Sequence, residues 1–371
     1  MDVENANPVT SRNAGGKNNG KTTTNRGPRT AFGNITNATV AAQSLNVSKA
    51  EKVGDVAKFS HFAKESNPQR SPERSDESME IDSIGDSEII FTLSLIEIAF
   101  REPEYCSDAL TYWREAERLF LPSPRYLRRQ REIDNDMRST LVDWLVEVGE
   151  EFKLCNETLY LSVAYVDRFL SVMSCTRDKL QLAGVAAMFI ASKYEEIYPP
   201  TAVEFVNLTD NTYNARQLLR LEKSMLKALK FELSQPSSNA FLNHFLKEYD
   251  DLICETDPES LLELENLSKY ICELTLLQGE TFLCFLPSQK AAASLYVAAA
   301  ALNMDKWMES VPKKCGFSLR ELESCIRYTH KYYSLAPKLT WTAIQDKYKD
   351  ERFGEVAERV CPKNIPLPLG I

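Results

Sequence analysis

Histidine is nearly missing: three in 371 residues, at His61, His244 and His330. None stands beside a Cys or Ser in a string that general-base or nucleophilic catalysis would use. Glycine is sparse in the C-terminal three quarters, and no Gly-rich phosphate loop occurs there. The nine cysteines, among them Cys106, Cys155, Cys175 and Cys272, never form a CxxC pair. That excludes a zinc ribbon and fits a reducing compartment better than a disulfide framework. The longest apolar runs, Ala183 to Ala191 and Ala291 to Leu302, fall short of a membrane span. Because Met1 opens into a polar, Asn-rich stretch, the expectation is a soluble chain with no secretion signal and no membrane contact. A formal net charge of −9 disfavours a direct grip on nucleic acid and points to protein partners. No enzyme, metal site or cofactor is expected.

What is present divides sharply. Residues 1–90 hold no Trp or Tyr and only Phe32, Phe59 and Phe62 as aromatics, too little apolar surface to offset ordering entropy, so a disordered tail is expected. It is basic to about residue 50 and acidic from Glu51 to Glu88. From Ile89 helical periodicity takes over and strand signals are few, which predicts an all-α fold. An N-terminal helix and linker occupy 91–134. The first set of five helices, 135–235, includes 157–170, 176–193, 202–208 and 214–231, with Asn135 or Asp136, Asn156 and Asn214 as caps. A second set, 236–348, reads as 238–249, 260–277, 287–303, 306–311 and 318–332; residues 349–371 form a C-terminal tail. Each set has a small-residue third helix, AGVAAMFIAS at 183–192 and AAASLYVAAA at 291–300, which permits close backbone approach.

The stretch MRSTLVDWLVEVGEEFKL, residues 137–154, carries more apolar surface than one core face needs. Val142, Leu145, Val146, Gly149 and Phe152 fill one arc; Met137, Leu141, Trp144 and Val148 fill a second beside it. Either both arcs are buried at the centre of a bundle, or the second presents a Trp-centred groove flanked by Glu147, suited to a short peptide with a basic residue.

That stretch, with VDRFLS at 166–171 and ASKYEEIYPP at 191–200, resembles the cyclin box, and LVEVGEEFKL with NETLYLSVAYVDRFLS is similar to A-type cyclins. The resemblance runs from about Tyr105 to Tyr348. It implies two tandem five-helix cyclin folds, and a chain that is the activating subunit of a cyclin-dependent kinase in a 1:1 heterodimer. A tandem cyclin fold in a promoter-binding initiation factor is the alternative, but that family brings a basic surface and a zinc ribbon.

Residue by residue, the resemblance puts the kinase-binding surface at Lys193, Tyr194, Glu222, Leu226 and Leu233, with Tyr105 as a lesser contact. Read alone, Lys193 could satisfy terminal carbonyls, Glu222 could be a solvated charge and Leu226 could be core. Met137, Leu141, Trp144, Glu147, Arg177 and Gln181 match the patch that docks Arg-x-Leu substrates and inhibitors, with Glu147 holding the peptide Arg. Thr140 stands where the family has Ile, which should weaken the pocket by about 1 kcal/mol. In the tail, Arg29, Phe32, Ile35 and Asn37 have the spacing of a destruction box read by the ubiquitin ligase of mitosis, with Phe32 where Leu is usual. Ser71, followed by Pro72 and Arg74, is a candidate for proline-directed phosphorylation. A nuclear protein with a cytoplasmic pool is expected.

Overall fold

The computed structural model describes residues 103–247 and 256–366. The expectations for the tail, Arg29, Phe32, Ile35, Asn37 and Ser71 together with the disorder of 1–90, lie outside the described residues. Those described form helices and short 3-10 turns, with no strand among them.

A leading helix α1 (Pro103–Leu119) precedes the first bundle: α2 (Asn135–Glu151), α3 (Asn156–Val172), α4 (Arg177–Glu195), α5 (Ala202–Asn207) and α6 (Ala215–Ala228). The second comprises α7 (Ser238–Lys247), α8 (Pro258–Leu274), α9 (Pro287–Ala301), α10 (Asp305–Lys314) and α11 (Leu319–Leu335), followed by a short α12 (Ala343–Tyr348). Side-chain caps set several starts. Thr201, Asn214 and Ser318 each close a reciprocal capping box with the Glu or Gln three residues on. The cap of α2 is Asp134, ahead of both expected candidates, Asn135 and Asp136, and it accepts from Met137 N at 2.9 Å. Asn135 is used elsewhere: its Nδ2 donates to Gln278 Oε1 at 2.9 Å, across to the second bundle.

The small-residue helices sit at the centres. On α4 every residue from Leu180 to Ser192 is buried, and on α9 every one from Ala291 to Ala300. Gly184 shows why α4 needs small side chains: a Cβ there would stand 2.6 Å from Leu141 Cδ1, so α2 packs directly on backbone.

The two bundles are locked by a buried polar joint. Arg138, 2% exposed, donates from Nε and Nη2 to both carboxylate oxygens of Asp167 at 2.7 Å and from Nη1 to the Leu276 carbonyl at 2.7 Å. The Tyr126 hydroxyl donates to the same Asp167 at 2.7 Å, and Ser139 Oγ to the Leu277 carbonyl at 2.6 Å. A guanidinium fork that fills both oxygens and a stray carbonyl satisfies the desolvated charges geometrically. Gly279 makes room for it, since a Cβ there would meet Arg138 Cδ at 2.9 Å.

Helix α1 docks on the second bundle rather than the first. Trp113 meets Phe241 edge-on at 5.4 Å, and Arg114 lies 4.5 Å over the Phe317 ring. Glu117 is buried and accepts from Ser288 N at 2.9 Å and Ser288 Oγ at 2.8 Å. Burial raises its carboxyl above the ordinary range in spite of those bonds and the nearby Arg114. A carboxyl raised on folding binds protons in the folded state where the unfolded chain has lost them, so stability falls as pH climbs from the ordinary carboxyl value through the folded one. Glu117→Gln keeps an acceptor for Ser288 and should flatten that fall. Denaturant titrations at several pH values across and just above the carboxyl range check it; a slope identical to wild type would exclude Glu117 as its source.

Candidate functional site

The end of α4 and the flank of α6 meet around one ion pair. Lys193 Nζ pairs with Glu222 Oε1 and stands 4.1 Å over the Phe189 ring. In the free chain these two charges therefore serve each other. Leu226 and Leu233 are half-buried against the core, and Tyr194 is 42% exposed. Beyond Tyr194 the chain stays greasy at the surface: Ile197, Tyr198 at 91% exposed, Val203 on α5, Leu219 on α6 and Phe231 at 67%. Five of the six predicted contacts thus have defined side chains, and four of them, Lys193, Tyr194, Glu222 and Leu226, lie on the adjoining α4 and α6. Tyr105 falls in the first turn of α1, and its side chain is outside the described residues.

Of the two arrangements the sequence left open for the second arc of α2, the structure has the buried one. Leu141 is 0% and Trp144 4% exposed, and Met137 and Gln181 are buried as well. Leu141 is covered because it packs on Gly184 of α4, and α12 packs against α2 as well. Glu147, Arg177 and Thr140 are half-buried and remain at the rim. Thr140 is also not simply a missing Ile. Its hydroxyl donates to the Asp136 carbonyl at 2.8 Å and accepts from Trp341 Nε1 at 3.1 Å, so this position anchors the C-terminal segment. Thr140→Ile, expected from sequence to improve a pocket, instead strips a half-buried indole of its acceptor.

Thiol chemistry finds no support here. Burial pushes the Cys155 thiol up to about 12 and those of Cys175 and Cys272 to about 11, so at neutral pH they are protonated and weakly nucleophilic. Among the described residues no group of His, Cys, Asp and Glu could hold a metal ion, and no helix is long and apolar enough to cross a membrane.

Comparison with known proteins decides the family. Residues 108–234 match the family described as cyclin, N-terminal domain, and residues 236–362 match cyclin, C-terminal domain. The chain belongs to the cyclin family.

Its relatives are A-type cyclins. Cyclin-A2 of Gallus gallus is 44% identical over 71% of this chain and 65% of its own length. Cyclin-A1 of Xenopus laevis is 40% identical over 84% of this chain and 69% of its own. The G2/mitotic-specific cyclin-A of Patella vulgata is 43% identical over 72% of this chain and 61% of its own. The matched part thus spans slightly under two thirds of two of these three relatives. A viral cyclin from herpesvirus saimiri shares the fold, with a TM-score of 0.53 at 22% identity over 60% of this chain and 95% of that one.

In this cyclin the sequence reading missed two groups. Ile197, Tyr198, Val203, Leu219 and Phe231 extend the exposed face, and for Ile197 and Tyr198 a signal was available: bulky apolar residues just before the Pro199-Pro200 break, outside any helix. Arg138 and Trp341 carried no local signal, because their partners are 29 and 201 residues away.

Proposed function

We propose that this cyclin is the regulatory subunit of a cyclin-dependent kinase, binding it 1:1 and holding it active. The supporting observation is the exposed aromatic and aliphatic face around the Lys193–Glu222 pair, from Tyr194 through Tyr198 to Phe231, an apolar patch with charges at its edge of the kind that marks a protein interface. Packed against the kinase's regulatory helix, such a face stabilises the conformer in which that helix's Glu pairs with the ATP-binding Lys. The cyclin supplies binding energy for the active state and no chemistry of its own, which is a population shift. Affinity capture from dividing-cell extract, followed by reconstitution, is the test. A cyclin-dependent kinase should copurify in equal amount and gain activity only when this chain is added; a kinase equally active without it would overturn the reading.

Docking of Arg-x-Leu substrates and inhibitors belongs to the same proposal, in a form the burial of α2 modifies. Met137, Leu141, Trp144 and Gln181 supply a floor, and Glu147 with Arg177 a charged rim. Alanine at the three apolar positions is a poor probe, since truncating a fully buried Leu alone costs about 2–5 kcal/mol of stability. Glu147→Gln keeps shape and removes the charge that would hold the peptide Arg. It should weaken an Arg-x-Leu peptide on the order of tenfold and leave phosphorylation of a motif-free peptide intact. Equal loss on both peptides would contradict a docking role.

For the tail, the proposal is destruction by ubiquitination in mitosis through Arg29, Phe32, Ile35 and Asn37, with Ser71 as a phosphorylation site, ending S-phase and G2/M activity of a nuclear complex with a cytoplasmic pool. Arg29→Ala with Phe32→Ala should lengthen the half-life several-fold in mitotic extract without altering kinase binding. Equal decay of mutant and wild type would move the signal elsewhere.

A further inference from the structure

Beside the Arg138 joint, where the end of α1, the side of α3 and the start of α9 meet, lies a partly enclosed cleft with about 670 Å3 of empty space, its solvent-facing part included. Its wall is mostly apolar, with Phe120, Tyr160, Val163, Phe282 and Phe285 drawn from both bundles. Aromatic walls with a few polar groups are the usual form of a small-molecule site. None of the kinase-facing residues and none of the α2 docking residues lines it.

Four charged side chains border the cleft, Glu117, Arg138, Asp167 and Lys290, and three of them are satisfied within the chain. Arg138 and Asp167 hold each other through two bonds, with the Leu276 carbonyl and the Tyr126 hydroxyl completing the set. Glu117 accepts from Ser288 N and Oγ and stands 3.8 Å from Arg114. Lys290 is different. It is half-buried on α9, and among the described residues no oxygen accepts a hydrogen bond from its amine and no carboxylate lies within ion-pair distance of it. Burial lowers its ammonium below the ordinary lysine range; Arg138 adds to that, while Asp167 and the thiols of Cys272 and Cys325 act the other way. A desolvated cation without an anion of its own is costly, and an anion supplied from outside offsets that cost.

We propose that this cleft is a binding site for a small amphipathic monocarboxylate, its carboxylate on Lys290 and its apolar body among the rings between the two bundles. One negative charge matches the one cation that lacks a partner. A dianion brings a surplus charge close to Asp167 and Glu117, and a neutral ligand leaves the ammonium as it was. An aromatic body suits Phe282 and Phe285, which gain from edge-on or offset contact beyond the area they bury. Because Val163 stands on the first bundle and Phe282 leads into α9 of the second, a bound ligand touches both and stabilises the folded joint by mass action.

The test titrates the full chain at neutral pH with benzoate, with benzamide as its uncharged counterpart and phenyl phosphate as the dianion, by calorimetry and by the shift in melting temperature. Benzoate should bind with a Kd on the order of 1 mM or tighter, and benzamide and phenyl phosphate about tenfold more weakly. Lys290→Met, which keeps length and removes the charge, should weaken benzoate about tenfold and bring it level with benzamide. Ala164→Leu, which places a larger side chain in the cleft wall, should abolish binding of both and with it the benzoate-dependent rise in melting temperature. Melting curves without ligand show which variants fold; should Lys290→Met fail to, benzoate against benzamide on wild type and the Ala164→Leu chain decide. No benzoate binding up to about 10 mM, equal affinity for benzoate and benzamide on wild type, or undiminished benzoate binding in the folded Lys290→Met chain each overturns the inference.

Discussion

Lys193→Glu combined with Glu222→Lys should weaken kinase binding about a hundredfold and leave the fold untouched. The swap preserves the pair, because the introduced carboxylate on α4 faces the introduced ammonium on α6 across the same gap where the native Lys193 and Glu222 now meet. An exposed pair of this kind contributes at most about 1 kcal/mol to stability, and reversing it keeps even that. What inverts is the charge pattern presented to a partner. Like charges brought together at an interface cost several kcal/mol, and roughly 3 kcal/mol is about a hundredfold in Kd. Titrating active kinase with the double variant measures it, with circular dichroism and melting as controls. Unaltered activation would place the kinase contact elsewhere and leave the exposed Tyr198 and Phe231 face without an occupant.

Arg138→Met should cost about 3–5 kcal/mol of stability, the largest effect expected from one substitution in this chain. The change removes the guanidinium from the buried Asp167 carboxylate, leaves the Tyr126 hydroxyl as its hydrogen-bond donor and frees the Leu276 carbonyl; breaking one side of a buried pair strands the other charge. At roughly 2–4 °C per kcal/mol for a domain of 150–250 residues, the melting transition should fall by on the order of 10 °C. Adding Asp167→Leu should recover much of the loss, since apolar replacement of both partners removes the stranded charge. A single variant melting like wild type would show that water, not the guanidinium, solvates Asp167.

Where a helix begins was legible when the signal was local. Thr201, Asn214 and Ser318 cap with their own third neighbours, and the spacing in sequence is the spacing in space. At α2 the expected caps were Asn135 or Asp136, but Asp134 caps, and Asn135 bonds instead to the distant Gln278, which no local signal shows. The small-residue helices α4 and α9 were legible as centres because close approach demands Ala and Gly. The excess apolar arc of α2 was legible as an excess and not as buried or bare: periodicity gives angles around an axis, and what covers Leu141 here is Gly184 of α4, on another helix. The site residues followed the same division. Lys193, Tyr194 and Glu222 came from the resemblance; that Lys193 and Glu222 meet each other, and that Trp341 meets Thr140, needed coordinates.

The strap of Trp341, Ala343 and Lys347 along α2, held to Thr140, Asp143 and Glu150, imposes an order on biosynthesis. A ribosome adding roughly 5–20 residues per second finishes α2 some 10–40 s before it releases the residues that cover it. Throughout that interval the stripe from Thr140 to Glu150 has none of its final partners from the C-terminal segment, and the bonds that close it have sequence separations near 200 residues. Contacts that distant form late and slowly. The nascent first bundle therefore lacks these partners until residues 341–352 emerge, and a stop codon just before Leu339 would leave it in that unfinished condition permanently.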